Sequence, residues 1–90
     1  MRLIKIGASW CGPCNLMDKR LKDFNACEYK AYDVGDEDDE TAEIVEKYNV
    51  RSIPVIVLEG DNGEELAKWV GAVSLENIME KININKLKVN

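Results

Sequence analysis

The chain has 90 residues, 46% hydrophobic and 32% charged, with a formal net charge of −5. That length holds one domain with one core and a modest stability margin, and apolar residues recur too regularly for a disordered chain. The acidic balance offers no basic patch for a nucleic acid, no apolar run reaches the roughly 20 residues of a membrane-spanning helix, and the absence of histidine rules out Ser-His and Cys-His catalysis.

Leu3 to Ala8 is a short, mostly apolar run and reads as a buried strand. From Pro13 to about Asn25, Cys14, Met17, Leu21 and Phe24 fall on one face at helical spacing. Pro13 suits the first turn, where a backbone N–H would have no intrahelical partner. Glu28 to Val34 reads as a second strand. The charged loop Gly35 to Glu40 leads into a helix over Thr41 to Tyr48, with Ile44, Val45 and Tyr48 on one side. The acid cluster lies at that helix's N-terminus, where the dipole favours negative charge, and is read as a solvated cap.

Val55 to Glu59 is strongly β-prone and follows Ile53-Pro54. Asp61-Asn62-Gly63 signals a hairpin, and Leu66 to Val70 is the returning strand. Ser74 opens a last helix carrying Leu75, Ile78, Met79 and Ile82 on one face. The tail from Asn83 to Asn90 has three readings: helix extension, edge pairing or a frayed end. The order is β-α-β-α-β-β-α in one domain spanning residues 1–90. A helix between the first two strands implies a parallel, right-handed crossover, and the hairpin makes the last two strands antiparallel. The fold class is therefore α/β, a four-stranded mixed sheet with helices on both faces.

Three cysteines are present, two as Cys11-Gly12-Pro13-Cys14 and one alone at Cys27. Three ligands without histidine fall short of the four a structural zinc site usually takes, so no metal is expected. The odd, low count argues against a secreted disulfide framework and suits redox chemistry in a reducing compartment. Met1 to Ile6 is too short and too interrupted for a secretory signal, and a cytoplasmic location is expected. Cys27 reads as a buried, inert thiol at the start of a strand.

In the sequence Trp10-Cys11-Gly12-Pro13-Cys14, a strand and a turn lead into a helix. Cysteines at i and i+3 on a helix start lie close enough to bond. Cys11 would sit at the helix N-terminus, where unpaired N–H groups and the dipole stabilise a thiolate. Cys14 would sit one turn inside and suit the second step of thiol–disulfide exchange.

This stretch resembles the thioredoxin family, which carries the same pentapeptide after a strand. The likeness extends from about Leu3 to Ile82. It includes Lys47 to Arg51, the Arg51-Ser52-Ile53-Pro54 loop and Val70-Gly71-Ala72. The resemblance implies a thioredoxin-like fold and a disulfide reductase, with Cys11 as nucleophile, Cys14 as resolving thiol, and Trp10, Gly12 and Pro13 shaping the turn. It implies that Ile53 presents backbone groups to a substrate peptide beside a cis Pro54, with Gly71 and Ala72 completing an apolar groove. It further implies a monomer with no bound cofactor. Its partners would be disulfide-containing client proteins and a recycling system, either a reductase using NADPH or glutathione. A glutaredoxin-like or isomerase activity is the nearest alternative, and a binding subunit of a larger complex is an alternative of another class.

The chain departs from the family pattern at several points, among them Asn15 in place of a basic residue after the second cysteine and Lys19 in place of a mid-helix proline. It begins at the active-site strand, a trimmed, glutaredoxin-sized form. Lys5 also stands where most members place a buried Asp, and the family's lysine partner on the next strand aligns best with Ala31, or with Lys30 if the register slips by one. The plainer reading of Lys5 is a side chain that snorkels to solvent at a sheet edge. The alternative is a cation that lowers the pKa of a nearby thiol.

Overall fold

Alternating and continuous apolar runs produce the predicted order of elements. The computed structural model describes residues 1–88. Along it run β1 (Arg2–Gly7), α1 (Gly12–Arg20), β2 (Glu28–Asp33), α2 (Asp39–Lys47), β3 (Val55–Glu59), β4 (Glu65–Val70) and α3 (Leu75–Lys88). The sheet order is β2-β1-β3-β4. β1 runs parallel to β2, with Lys5 opposite Ala31, and antiparallel to β3, with Lys5 opposite Ile56. β3 and β4 are antiparallel.

β1 and β3 are nearly all apolar because both of their faces are covered. Leu3, Ile56 and Leu58 pack with Met17 and Leu21 of the α1 region, Val73, and Ile78 and Ile82 of α3. Ile4, Ile6, Val55 and Val57 point the other way, onto Ile44 and Tyr48 of the α2 region. The period-two alternation of a strand thus separates two cores, one on each face of the sheet.

Two boundaries differ from the sequence reading by two residues or more. α1 ends at Arg20, five residues short of the expected Asn25. Leu21 closes it through an N–H bond to Met17 O at 2.9 Å, and Phe24 N–H then bonds Leu21 O at 3.1 Å in a separate turn. The chain turns here to reach β2, and Phe24 still packs, edge-on to Tyr29 with ring centroids 6.1 Å apart. α2 starts two residues earlier than expected because Asp38 caps it, accepting the Thr41 N–H at 2.7 Å. The β3–β4 connection is a loop over Gly60–Glu64, closed by Gly60 N–H to Glu64 O at 2.8 Å, with Gly63 at φ 79°. A positive φ there suits a residue without Cβ. In the tail, residues 83–88 continue α3, and the part of the tail reading that falls on Val89 and Asn90 lies outside the described residues. Ser74 caps α3, its Oγ accepting the Asn77 N–H at 3.1 Å.

The end of the sheet remote from Cys11 is held by a buried acid. Glu59, whose side chain is 4% exposed, accepts from Arg2 at 3.0 Å, from Lys47 at 3.0 Å and from the Tyr48 hydroxyl. Burial pushes the Glu59 carboxyl up, but the hydrogen bonds from Tyr48, Lys47 and Arg2 outweigh burial and hold it below its ordinary value. Tyr48 is pushed well above the usual phenol range, first by burial and then by its bond to Glu59.

Candidate active site

β1 delivers the chain at Gly7 into a tight connection, in which Cys11 N–H bonds Ala8 O at 3.2 Å. Cys11 is then the N-cap of α1: its backbone is extended (φ −96°, ψ 116°), and its Sγ accepts the Cys14 N–H at 3.3 Å. The first turn of a helix leaves N–H groups without partners, so a sulfur here meets donors and the positive end of the dipole. Pro13 lies in that first turn and contributes no N–H that needs one. Cys11 and Cys14 form a disulfide with their Cα atoms 5.2 Å apart. Cys14 is fully buried, and Cys11 is nearly so, packed with Ala8, Val34 and Ile53.

The loop before β3 meets this helix start. The Ile53–Pro54 peptide bond is cis, as the resemblance implies, and Ile53 O lies 4.0 Å from Cys11 Sγ. Gly71 N–H donates to Pro54 O at 2.8 Å, so the Gly71–Ala72 segment is tied to the same loop. Gly71 has φ 95°, the left-handed region that favours glycine. Trp10 stands 76% exposed on the rim. With Val34, Val45, Val50, Arg51, Ser52 and Ile53 it lines a shallow, largely apolar depression of about 270 Å³. Gly71 and Ala72 lie outside that depression: the structure ties them to Pro54 but does not gather them with Trp10.

Lys5 does not snorkel to solvent at a sheet edge. β1 is flanked by β2 and β3, so it is not an edge strand. The Lys5 side chain is 8% exposed and pairs with the Asp18 carboxylate of α1, itself 51% exposed. The ammonium thus runs under the first turns of α1, and its counter-ion stands at the surface. Lys5 also lies beside the redox pair. A β-carbon built on Gly7 would be 2.9 Å from Cys14 Sγ and 3.7 Å from Lys5 Cε.

Sequence reasoning missed Gly7 and Asp18. The signal for Asp18 was its place four residues after Cys14, one turn along the same helical face. Nothing local marks Asp18 as the partner of a residue on β1. Cys27 proves half-buried rather than buried, and burial pushes its thiol up. Among the described residues, no group of three or more His, Cys, Asp or Glu is arranged to hold a metal ion, and no helix is long and apolar enough to cross a membrane.

Comparison with known proteins gives a consistent result. Residues 1–84 match the family model described as Thioredoxin. A thioredoxin of Rickettsia bellii is 33% identical over 84 residues, covering 92% of this chain and 79% of the relative. Thioredoxin H2-1 of Oryza sativa subsp. japonica is 36% identical over 74 residues, covering 78% of this chain, and the chain spans about half of that protein's length (50%). Among solved structures, reduced thioredoxin pre-protein of Schistosoma mansoni superposes with a TM-score of 0.69 at 28% identity, covering 92% of this chain and 76% of that one.

Proposed function

We propose, from the premise that this chain belongs to the thioredoxin family, that it is a thiol–disulfide oxidoreductase working as a protein disulfide reductant through Cys11 and Cys14. One observation carries the reading: Cys11 Sγ is the capping atom of α1 and is bonded to the buried Cys14. A thiolate at Cys11 is stabilised there by the Cys14 N–H and the helix dipole.

The exchange proceeds in two steps. The Cys11 thiolate attacks one sulfur of a client disulfide, a Cys11–client bond forms, and the other client sulfur leaves as a thiolate. The Cys14 thiolate then attacks Cys11 Sγ. The Cys11–Cys14 bond forms, the Cys11–client bond breaks, and the second client sulfur leaves with its electron pair. Two electrons have passed to the client, whose thiolates take protons from water.

The apolar depression beside Trp10 and the Ile53 carbonyl are where an extended client peptide would lie. A reductase using NADPH, or glutathione, returns the pair to the dithiol form. The cysteine usage supports a reducing, cytoplasmic location, and membership of the thioredoxin family supports a monomeric electron carrier that holds no organic cofactor or metal. The Gly12-Pro13 pair with Trp10 before it favours the reductant over a glutathione-linked or isomerase role.

The test is reduction of a disulfide-bonded client such as insulin with dithiothreitol as electron source. The expected result is turnover above the uncatalysed dithiothreitol rate by the native chain, none above it for Cys11→Ser, and, when reduced Cys14→Ser meets the client with dithiothreitol removed, accumulation of a Cys11–client mixed disulfide. A binding subunit would instead keep its role in its native complex in a Cys11→Ser, Cys14→Ser double variant, which cannot reduce insulin.

A further inference from the structure

Cys14 must lose a proton before it can resolve the mixed disulfide, yet it is fully buried. The thiolate left behind in that buried place needs a compensating charge nearby. Lys5 Cε and Cys14 Sγ both lie within 4 Å of one point above Gly7, the position a β-carbon there would take. The Lys5 ammonium pairs with Asp18 at the protein surface. Lys5, Gly7, Asn15, Asp18 and Asp33 share the wall of one cavity of about 270 Å³.

The other charged and titratable groups on this side do not offer a substitute. From β2, the two oxygens of Asp33 accept the Ser9 N–H at 3.3 Å and the Gly35 N–H at 2.7 Å. Tyr29 is pushed up to about 12, mainly by burial and secondarily by the charge of Asp18. Asp36 lies in the loop after β2 and lines the same cavity, as does Tyr32, whose hydroxyl donates to Glu40 at 2.6 Å and is pushed up, first by burial. From α1, Arg20 donates to Val73 O at 2.8 Å. The residues that α3 buries, Ile78 and Ile82, carry no charge.

We propose that Lys5 and Asp18 form an opposed charge pair that sets the acidity of Cys14. Lys5 is the counter-ion that stabilises the Cys14 thiolate in the resolving step, and Asp18 is a positioning residue that holds Lys5 and partly neutralises it. The step balances simply. The Cys14 S–H gives its proton to solvent, and the thiolate attacks Cys11 Sγ as in the exchange above. Neither Lys5 nor Asp18 enters the bond-making or the electron transfer. Charges within about 4–6 Å of a thiol move its equilibrium by tenfold or more, whereas an exposed carboxylate acts more weakly through screening.

The inference rests on the proposed exchange chemistry, but its test needs no client. Cys14 is titrated by its thiolate absorbance in a Cys11→Ser, Cys27→Ser background, in which it is the only thiol. Lys5→Met keeps most of the side-chain volume and removes the cation. It leaves Asp18 unopposed, so Cys14 binds its proton about tenfold more tightly. Asp18→Asn frees the Lys5 charge, so Cys14 binds its proton about threefold less tightly. The double variant, again net neutral, returns to within about twofold of the parent.

Opposite signs in the two single variants are the signature of charge. A merely structural ion pair would move both variants the same way. Asp18 is half-exposed, so Asp18→Asn folds even where Lys5→Met does not. An unchanged or tighter proton in Asp18→Asn overturns the proposal by itself. Loss of client reduction with this titration pattern intact would strike the proposed function and leave the charge pair standing.

Discussion

The sulfur of Cys14 rests against the α-carbon side of Gly7: a β-carbon at residue 7 would stand 2.9 Å from Sγ and 3.1 Å from Cys14 Cβ. Contacts that short force a shift, and the disulfide to Cys11 leaves the sulfur little freedom to make it. The last residue of β1 is therefore small for a steric reason that belongs to the redox pair.

Gly7→Ala is expected to destabilise the protein by about 1–3 kcal/mol through overpacking. The loss is larger in the oxidised form, where the sulfur is tethered, than after reduction. Urea unfolding of both forms checks this. Equal losses in the two forms would mean that the strand, not the sulfur, suffers the added methyl.

The buried acid at the remote end of the sheet gives a pH prediction. The folded-state carboxyl of Glu59 is held below its ordinary value of 4.5. Its contribution to stability is thus complete above about 4.5 and is lost as the pH falls through the lower folded value. Glu59→Gln is expected to be less stable at neutral pH by about 2 kcal/mol, because Tyr48, Lys47 and Arg2 lose a charged acceptor. Below about pH 4.5 the gap between variant and parent narrows. Unfolding curves at a series of pH values measure both effects.

Asp38 offers a test at the start of α2. It caps the helix through the Thr41 N–H, and hydrogen bonds from Thr41 hold its carboxyl below the usual value. Asp38→Ala is expected to lower Tm by a few degrees, while Asp38→Asn, which keeps an oxygen acceptor, stays close to the parent. Equal losses in both variants would assign the effect to charge at the helix dipole rather than to the cap.

Much of this structure was legible in the residues, and the exceptions have a common cause. β3 was readable to both ends because Val55 to Glu59 is bounded by Pro54 and Gly60. The helix start at Cys11 was readable because cap, proline and apolar spacing agree locally. The end of α1 was not, because Leu21 and Phe24 keep helical spacing while the backbone has already turned. Lys5 was misjudged because its partner lies on another element, 13 residues away. Nothing within the run Val55 to Glu59 marks Glu59 as a buried acid. Its burial follows from the register that sets Arg2 opposite it and from the close of α2, which brings Lys47 and Tyr48. Such pairings arise when elements pack, and no single segment encodes them.

The sulfur that caps α1 is also the atom that makes and breaks bonds in the proposed exchange. Free energy is a function of state, so the stabilisation that the helix start lends to a Cys11 thiolate must equal what the thiolate lends to the helix start. Anything that covers Cys11, whether client, alkyl group or oxygen, alters the capping interaction, and anything that frays the first turn makes the sulfur a poorer leaving group. The redox couple and the folding of this segment are one thermodynamic cycle, so a calorimeter and an electrode would report on the same bond.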